Sequence, residues 1–221
     1  MGATAMIRSV NLGGATATEY STPGVTGIDK RPVAGPVEVV APAEGSGLVG
    51  DTIGDLRHHG GPEQAVYAYA AEDLARWSAE LGHELAPGVF GENLTTAGLD
   101  VNGALIGEQW LIGDRLLLEV SVPRIPCRTF AGWLGEQGWV KRFTDRALPG
   151  AYLRVRRAGA VGPGDPVRVV HRPGHGLDVA TAFRALTGEA ALLQRLVDVA
   201  ELPAATREKA RRRLAAQQVG A

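Results

Sequence analysis

Residues 111–122 read Leu111-Ile112-Gly113-Asp114-Arg115-Leu116-Leu117-Leu118-Glu119-Val120-Ser121-Val122, which is two apolar runs separated by a Gly-Asp turn signal. Short apolar runs bounded by such turn residues are typical of β-strands. Comparable runs occur at Met6–Leu12, Val37–Val40, Ala65–Tyr69 and Tyr152–Val155. Their spacing favours a closed barrel or a sandwich over alternating β-α-β units.

The composition agrees with a turn-rich β protein, since the 221 residues include 30 glycines and 13 prolines. A net charge of −1 gives no chain-wide field to hold a nucleic-acid polymer or an anionic membrane, so we expect neither partner. The N-terminus lacks a signal-peptide pattern and no apolar stretch approaches the ~18 residues of a membrane span, which predicts a cytoplasmic protein. A single cysteine cannot form an internal disulfide, in agreement with a reducing compartment.

Two stretches of helical periodicity interrupt the strands. In Glu72–Leu81 the apolar residues lie on one face, and Glu72 and Arg76 are spaced for a surface ion pair. The second stretch, Arg128–Asp145, is broken by two glycines, which predicts two short helices rather than one.

After residue 172 the strand pattern stops and three helical segments follow, at 179–186, 190–200 and 204–216. We therefore predict a barrel domain over residues 1–172 and a small three-helix domain over 173–221. Roughly 45 residues are too few to bury a good core alone, so we expect this part to dock on the barrel or on a second subunit of a homodimer. The basic residues of the last segment are interpreted as a solvated helix end, with docking of an acidic partner as the alternative.

The lone cysteine, Cys127, directly follows the strongest predicted strand in the run Pro123-Arg124-Ile125-Pro126-Cys127-Arg128. We expect the thiol at a strand end, close to the start of a helix and to two arginines. Both features favour the reactive thiolate. The alternative is an inert, buried side chain that only fills space.

The run His58-His59-Gly60-Gly61-Pro62 is a second candidate. Two glycines let a backbone pass close to a ligand and direct its amides at an anion. If the two histidines lie in extended chain they face opposite sides, so at most one of them enters a given site. The alternative is a tight turn with a surface histidine.

Two further motifs are weak individually. Glu92 and Asn93, in Phe90-Gly91-Glu92-Asn93-Leu94, could orient a substrate or brace a loop. Lys30 and Arg31, in Gly27-Ile28-Asp29-Lys30-Arg31-Pro32, are adjacent cations beside a rigid turn, which suits a phosphate, although a solvated loop is the alternative. The glycine-rich nucleotide motifs are absent, and the five histidines and one cysteine show no recognised zinc-ligand spacing.

Taken in order, four of these motifs resemble the MOSC domain family: Gly27–Pro32, His59–Pro62 before Ala65-Val66-Tyr67, Phe90–Leu94, and Pro123-Arg124-x-Pro126-Cys127. The resemblance covers roughly residues 5–170, and the helical tail resembles that of the YiiM-type subgroup, the hydroxylaminopurine-resistance proteins. It implies a mostly β fold, a closed β-barrel with peripheral helices. It also implies a bound molybdenum cofactor (molybdopterin), with the Cys127 thiolate as molybdenum ligand. A pyridoxal-phosphate-binding superfamily classification is a further implication.

The same resemblance implies roles for the remaining residues. Lys30, Arg31, Arg124 and the amides around Gly60 and Gly61 would hold the phosphate of the cofactor. Relatives reduce N-hydroxylated compounds, and here His59 or a neighbouring acid would deliver a proton to the substrate nitrogen. Because no flavin or iron–sulfur motif is present, a reductase of this type needs an external electron-donor protein. The chain departs from the family pattern at Glu63-Gln64, where many relatives carry an acidic residue followed by a lysine or arginine.

Two other functions stay open at this point. One is a carrier of molybdenum cofactor or sulfur without turnover of its own. The other is a metal-free cysteine hydrolase or acyltransferase, in which Cys127 is the nucleophile, His59 the base and Asn93 the residue that orients it.

Overall fold

The computed structural model describes residues 4–219, which contain twelve strands and six α-helices. The strands are β1 Met6–Gly13, β2 Thr16–Ala17, β3 Val25–Thr26, β4 Lys30–Pro32, β5 Val37–Val39, β6 Val66–Ala70, β7 Leu94–Ala97, β8 Gln109–Ile112, β9 Leu116–Pro123, β10 Ala151–Arg157, β11 Gly159–Val161 and β12 Val167–His171. The helices are α1 Ala71–Leu81, α2 Arg128–Leu134, α3 Trp139–Arg146, α4 Val179–Thr187, α5 Leu193–Val197 and α6 Ala204–Val219. A 3-10 turn, Ala190–Leu192, precedes α5.

Eight of the strands form one sheet in the order β12-β8-β9-β10-β6-β7-β1-β4. Neighbouring strands are antiparallel except β6 and β7, which are parallel. A parallel pair needs a crossover connection, and α1 lies in that connection. The fold is therefore mostly sheet, as predicted, with one β-α-β unit that the spacing of the strand runs did not indicate.

The two edges of the sheet approach each other at the start of β1. Met6 forms an isolated bridge with Pro166. Next to it, the Ile7 amide donates to the Asp165 carbonyl (2.9 Å) and the Val167 amide donates to the Ala5 carbonyl (2.8 Å). The edges thus meet through a short contact, and a regular ladder of strand pairs is not formed there among the described residues.

The predicted strand runs and helices are found within a few residues of their expected ends. The short strands β2, β3, β4, β7 and β11 were not foreseen, because runs of two to four residues carry too little periodicity to read. The predicted pair of Glu72 with Arg76 is wrong. Arg76 instead pairs with Asp73 (2.8 Å), and the Glu72 carboxylate accepts a hydrogen bond from the Gly98 amide (2.7 Å).

A cluster of five buried aromatic side chains packs beside the sheet, and we call it the aromatic cluster: Trp77, Phe90, Phe130, Trp139 and Phe143. Phe90 lies at its centre, with ring-centroid distances of 5.2 Å to Phe130 and 5.4 Å to Trp139. Such edge-to-face contacts add to the free energy gained from burial. The cluster fixes α1, α2 and α3 against the loop that precedes β7, and therefore fixes where α2 begins.

The three helical segments after residue 172 are present as α4, α5 and α6. Phe183 of α4 contacts Phe143 of the aromatic cluster (6.1 Å between centroids), so these helices share apolar packing with the rest of the chain. Arg213 of α6 donates to the carbonyls at the end of α4, and Arg207 donates to the Leu202 carbonyl, which accounts for part of the basic charge.

The division into domains at residue 172 stays a prediction, and the outer ends of those domains, residues 1–3 and 220–221, lie outside the described residues. Within the described range, no helix combines the length and the apolar character needed to cross a membrane.

Candidate functional site

A pocket with about 660 Å³ of empty space, partly open to solvent, lies where β4, β6, β10 and the start of α2 come together. Six of the residues singled out in the sequence line its wall: Lys30, His59, Gly60, Asn93, Arg124 and Cys127. The folding of the chain thus brings together motifs that are up to 97 positions apart in sequence.

Cys127 lies between the end of β9 and the first turn of α2. It is the N-cap residue of α2, with extended backbone angles (φ −131°, ψ 172°), and its carbonyl accepts the Ala131 amide (3.0 Å). Cys127 is half-buried, is not part of a disulfide and lines the pocket. The strand-to-helix position expected from the sequence is therefore where the structure places it. Of the two flanking arginines, Arg128 lies outside the pocket wall and donates to the Glu19 carbonyl.

Arg124 is a buried cation of the pocket, with only 5% of its surface exposed. Its guanidinium is stacked between two rings, 4.3 Å from the Phe130 centroid and 5.0 Å from the Tyr67 centroid. Its Nε is buried without a hydrogen-bond partner, and it forms no ion pair with any described carboxylate. Because a guanidinium stays charged and an unpaired buried charge is costly, this arrangement suits an incoming anion.

Lys30 also lines the pocket, but its ammonium group is already paired with the buried carboxylate of Asp51. Asp51 accepts two further hydrogen bonds, from the Gly13 amide (2.8 Å) and from Nδ2 of Asn93 (2.9 Å). Burial lowers the pKa of Lys30, and the charge of Arg124 lowers it further, while Asp51 raises it. The lysine and the aspartate therefore act together as a buried ion pair of the wall.

Arg31 is not brought into the pocket with Lys30. Its side chain is 78% exposed and pairs with Asp29 (3.1 Å). The sequence motif suggested a rigid turn with two cations side by side, but these residues form the strand β4, which pairs with β1. Adjacent residues of a strand point to opposite faces, which sends Lys30 inward and Arg31 outward.

Of the two histidines, His59 lines the pocket and His58 is exposed, bonded to Asp55 (2.9 Å). Burial, together with the nearby positive charge of Arg124, lowers the pKa of His59 to about 4. The ring is therefore neutral at pH 7. A neutral ring can form hydrogen bonds in the wall, but it has no imidazolium proton to donate.

The two glycines differ in what they offer a ligand. Gly60 lines the pocket with φ +79°, and a Cβ there would lie 2.5 Å from the Gly45 carbonyl oxygen, so a glycine is required. The Gly61 amide donates to the Gly45 carbonyl (2.8 Å), and Gly61 does not line the pocket. Of the two amides expected to face an anion, that of Gly61 is therefore already used by the chain.

Glu92 and Asn93 brace the wall, which was one of the two roles expected for them. Glu92 is fully buried and accepts hydrogen bonds from the Gly88 amide (2.6 Å), the Phe90 amide (3.1 Å) and the Thr95 hydroxyl (2.9 Å). Burial still raises its pKa, to about 6. The Asn93 amide group is held between Asp51 and the Tyr67 backbone amide, which it binds at 3.1 Å.

Comparison with known proteins identifies the family of this chain. The MOSC domain matches residues 55–168, just over half of the 221 residues, and this match includes Cys127, Arg124 and His59. The chain belongs to the MOSC domain family. The family prediction made from the ordered motifs is therefore confirmed.

Several relatives of this MOSC protein are known. The uncharacterised protein YflK of Bacillus subtilis is 35% identical over 179 residues, which is 80% of this chain and 79% of YflK. The crystal structure of YiiM from Geobacillus stearothermophilus superposes with a TM-score of 0.77 at 29% identity, over 95% of this chain and 99% of that one. A protein named reductase from Gibberella moniliformis is 30% identical over 161 residues, 72% of this chain but only 28% of that protein.

Gln64, Tyr67 and Tyr152 also line the MOSC pocket, and the sequence analysis assigned none of them a role there. Gln64 has a buried Oε1 without a partner, and it stands at the position where the sequence departs from the family pattern. Glu63, beside it, pairs with Arg154 and accepts the Ser121 hydroxyl (3.0 Å). Strand pairing aligns Tyr152 with Tyr67 across 85 positions, and no local pattern in the sequence predicts that register.

Proposed function

We propose that this protein binds molybdenum cofactor in the pocket and uses it to reduce N-hydroxylated compounds, with electrons from an external donor protein. One observation carries the proposal: the only cysteine and a buried guanidinium without an anionic partner line the same pocket. A thiolate is a soft ligand that suits a metal already bound by sulfur, and the guanidinium suits a phosphate. The cofactor offers both groups.

The residues present fit this cofactor in chemical type. Cys127 would provide the molybdenum ligand, and Arg124 the main charge that meets the phosphate. Lys30 would contribute as half of its pair with Asp51, whose negative charge reduces the net attraction for an anion. Gly60 keeps the wall free of a side chain at the point where a Cβ could not be accommodated. When bound, the cofactor supplies the two-electron chemistry.

The side chains around the thiol would bind and orient the substrate. With a pKa of about 4, His59 is a neutral ring at pH 7 and acts as a hydrogen-bonding group toward the N-hydroxyl function. An anion bound beside it would raise the pKa of His59, because a negative charge favours the imidazolium. The proton delivery expected of His59 therefore depends on what else the pocket holds.

One comparison supports an oxidoreductase in general, without indicating a substrate. The relative from Gibberella moniliformis is named a reductase, and this chain matches 28% of its length.

We interpret the eight-stranded sheet as a closed barrel, in view of the contact between its edges at Met6 and Pro166. We further propose that the protein works in the cytoplasm, where a single unpaired thiol stays reduced.

The cysteine hydrolase alternative has less support. It needs Asn93 to orient His59, yet the Asn93 amide group already binds Asp51 and the Tyr67 amide. No hydrogen bond joins Asn93 to His59 in the part of the chain that the structure describes. His59 and Cys127 do share the pocket, which is the one observation that favours this alternative.

The test compares wild-type protein with Cys127→Ser, both made in a host that synthesises the cofactor. The wild type should contain molybdenum and reduce an N-hydroxylated base when given a reductant. In Cys127→Ser a hard, protonated hydroxyl replaces the soft thiolate, so we expect molybdenum content to fall about tenfold or more and reduction to disappear, with an unchanged melting temperature.

Two outcomes would overturn the proposal in different ways. Wild-type protein that holds no molybdenum yet hydrolyses an ester or amide is a hydrolase. Wild-type protein that holds molybdenum but reduces no N-hydroxylated compound is a carrier.

A further inference from the structure

We infer that Tyr152 is a catalytic proton donor of this pocket, delivering the proton that the departing hydroxyl group of an N-hydroxylated substrate requires. The inference rests on the proposed function and adds a residue to it. It starts from a comparison with four other side chains of the wall that could transfer a proton, namely Lys30, Asp55, His59 and Tyr67.

Three of these groups are excluded by their contacts. The Lys30 ammonium is paired with Asp51 inside the wall. The Tyr67 hydroxyl donates to the Pro149 carbonyl (2.7 Å). The carboxylate of Asp55 is bonded to His58 on the outer side. His59 differs in another way: with a pKa of about 4 its ring carries no imidazolium proton at pH 7 in the ligand-free protein, and it could donate one only when a bound anion raises that pKa.

Tyr152 differs from these groups because its hydroxyl has no hydrogen-bond partner among the described residues. It lies on β10, in register with Tyr67 on β6, and the two rings are 5.0 Å apart. Only 9% of the residue is exposed, and it lines the pocket together with Cys127. By contrast, the buried Tyr69 uses its hydroxyl to bind the Leu148 carbonyl (2.9 Å).

The charges around Tyr152 suit a donor. Burial raises the pKa of Tyr152, so the phenol holds its proton at neutral pH, and the charge of Arg124 acts in the opposite direction. Arg124 has no anionic partner in the described structure. A phenolate formed when the proton leaves would be stabilised by the nearby positive charge of Arg124, which the proposed function shares with the cofactor phosphate.

The overall reaction is R–NH–OH plus two electrons and two protons, giving R–NH2 and water. The N–O bond breaks, and the external donor protein of the proposed function supplies both electrons. Tyr152 gives its hydroxyl proton to the departing oxygen, which leaves as water. Solvent supplies the second proton to nitrogen and returns a proton to the phenolate.

The experiment compares Tyr152→Phe with the wild type, both loaded with cofactor, using an N-hydroxylated base and a chemical reductant. Loss of a general acid should lower kcat about 100-fold, with KM within about twofold. Molybdenum content and melting temperature should not change, because the lost hydroxyl bonds to no described residue. The ratio of kcat in H2O to kcat in D2O should change as well, because the variant no longer transfers the phenol proton in the reaction step.

Tyr20→Phe is the matched control, because it removes the same hydroxyl from a residue outside this pocket wall. Its kcat and isotope ratio should equal those of the wild type. If Tyr152→Phe keeps wild-type kcat, the inference alone is wrong. Loss of molybdenum in Tyr152→Phe would mean that the residue holds the cofactor instead, which also overturns it. If the loaded wild type reduces nothing, the proposed function fails and this inference falls with it.

Discussion

The aromatic cluster and the pocket meet at α2, yet their side chains are packed differently. On one side Phe90 is enclosed by other rings, and apolar surface is matched by apolar surface. On the other side the pocket keeps polar groups without partners, namely Nε of Arg124 and Oε1 of Gln64. The cluster also contains one such atom, Nε1 of Trp139, so the contrast is one of degree. The tightly packed region supplies stability that lets the neighbouring region reserve polar groups for a ligand.

The largest effect is expected in the cluster, for Phe90→Ala. Phe90 is fully buried and contacts Trp77, Phe130, Trp139 and Phe143. Replacing such a ring leaves a cavity, so the free energy of unfolding should fall by about 3–5 kcal/mol in denaturant titrations. Val140→Ala on α3, where the side chain is exposed, should change it by less than about 0.5 kcal/mol. A loss below about 1 kcal/mol for Phe90→Ala would mean that the cluster is not the stabilising region.

The next effect is expected at the pocket wall, for Lys30→Met. This change leaves the Asp51 carboxylate, whose side chain is 0% exposed, without its cation. Breaking one half of a buried pair should cost about 3 kcal/mol, and adding Asp51→Asn should recover part of it. Arg31→Met is the matched control. This adjacent cation is exposed, so its replacement should change the free energy of unfolding by less than about 0.5 kcal/mol. Equal effects of the two single changes would contradict the inward and outward placement of these residues.

A smaller change in stability, with a large change in binding, is expected for Arg124→Met. The apo protein should stay within about 1 kcal/mol of wild type, because loss of stacking on two rings is offset by removal of an unpaired buried charge. Cofactor retention, measured as molybdenum per chain, should fall about tenfold or more. A strongly destabilised apo protein would show that Arg124 has a structural partner, and full retention would show that it meets no anion.

These contrasts also explain what the sequence could predict. Long runs with clear periodicity, such as β9 and α1, were predicted because local patterns determine them. The pocket was predicted only where a motif carried its residues, as for Cys127 and Arg124. The outward placement of Arg31 was not foreseen, because β4 is three residues long and ends in a proline, so its alternation was not readable. Tyr152 lies beside Tyr67 because β10 pairs with β6, and that register depends on the whole fold.

The smallest effect is a pH dependence of stability. It separates the two regions, because His59, whose pKa is lowered, lines the pocket, whereas the aromatic cluster contains no titratable ring. The pKa of His59 is lowered from 6.5 to about 4 in the folded protein, and burial is the main cause. Between these values the unfolded chain binds more protons than the folded one, so stability must fall as the pH drops from 6.5 toward 4. His59→Gln removes this dependence.

Urea titrations at pH 7.5 and pH 5 measure this effect. Between these two pH values the free energy of unfolding of the wild type should fall by about 1 kcal/mol more than that of His59→Gln, a value reduced because the ring is partly exposed. At pH 7.5 the ring is neutral in both states, so this contribution is absent. An anion bound in the pocket raises the pKa of His59, so the cofactor-loaded wild type should show a weaker slope than the apo protein. Identical slopes for apo wild type and His59→Gln would mean that His59 is solvated like a surface histidine, and the neutral-ring assignment in the pocket would then be withdrawn.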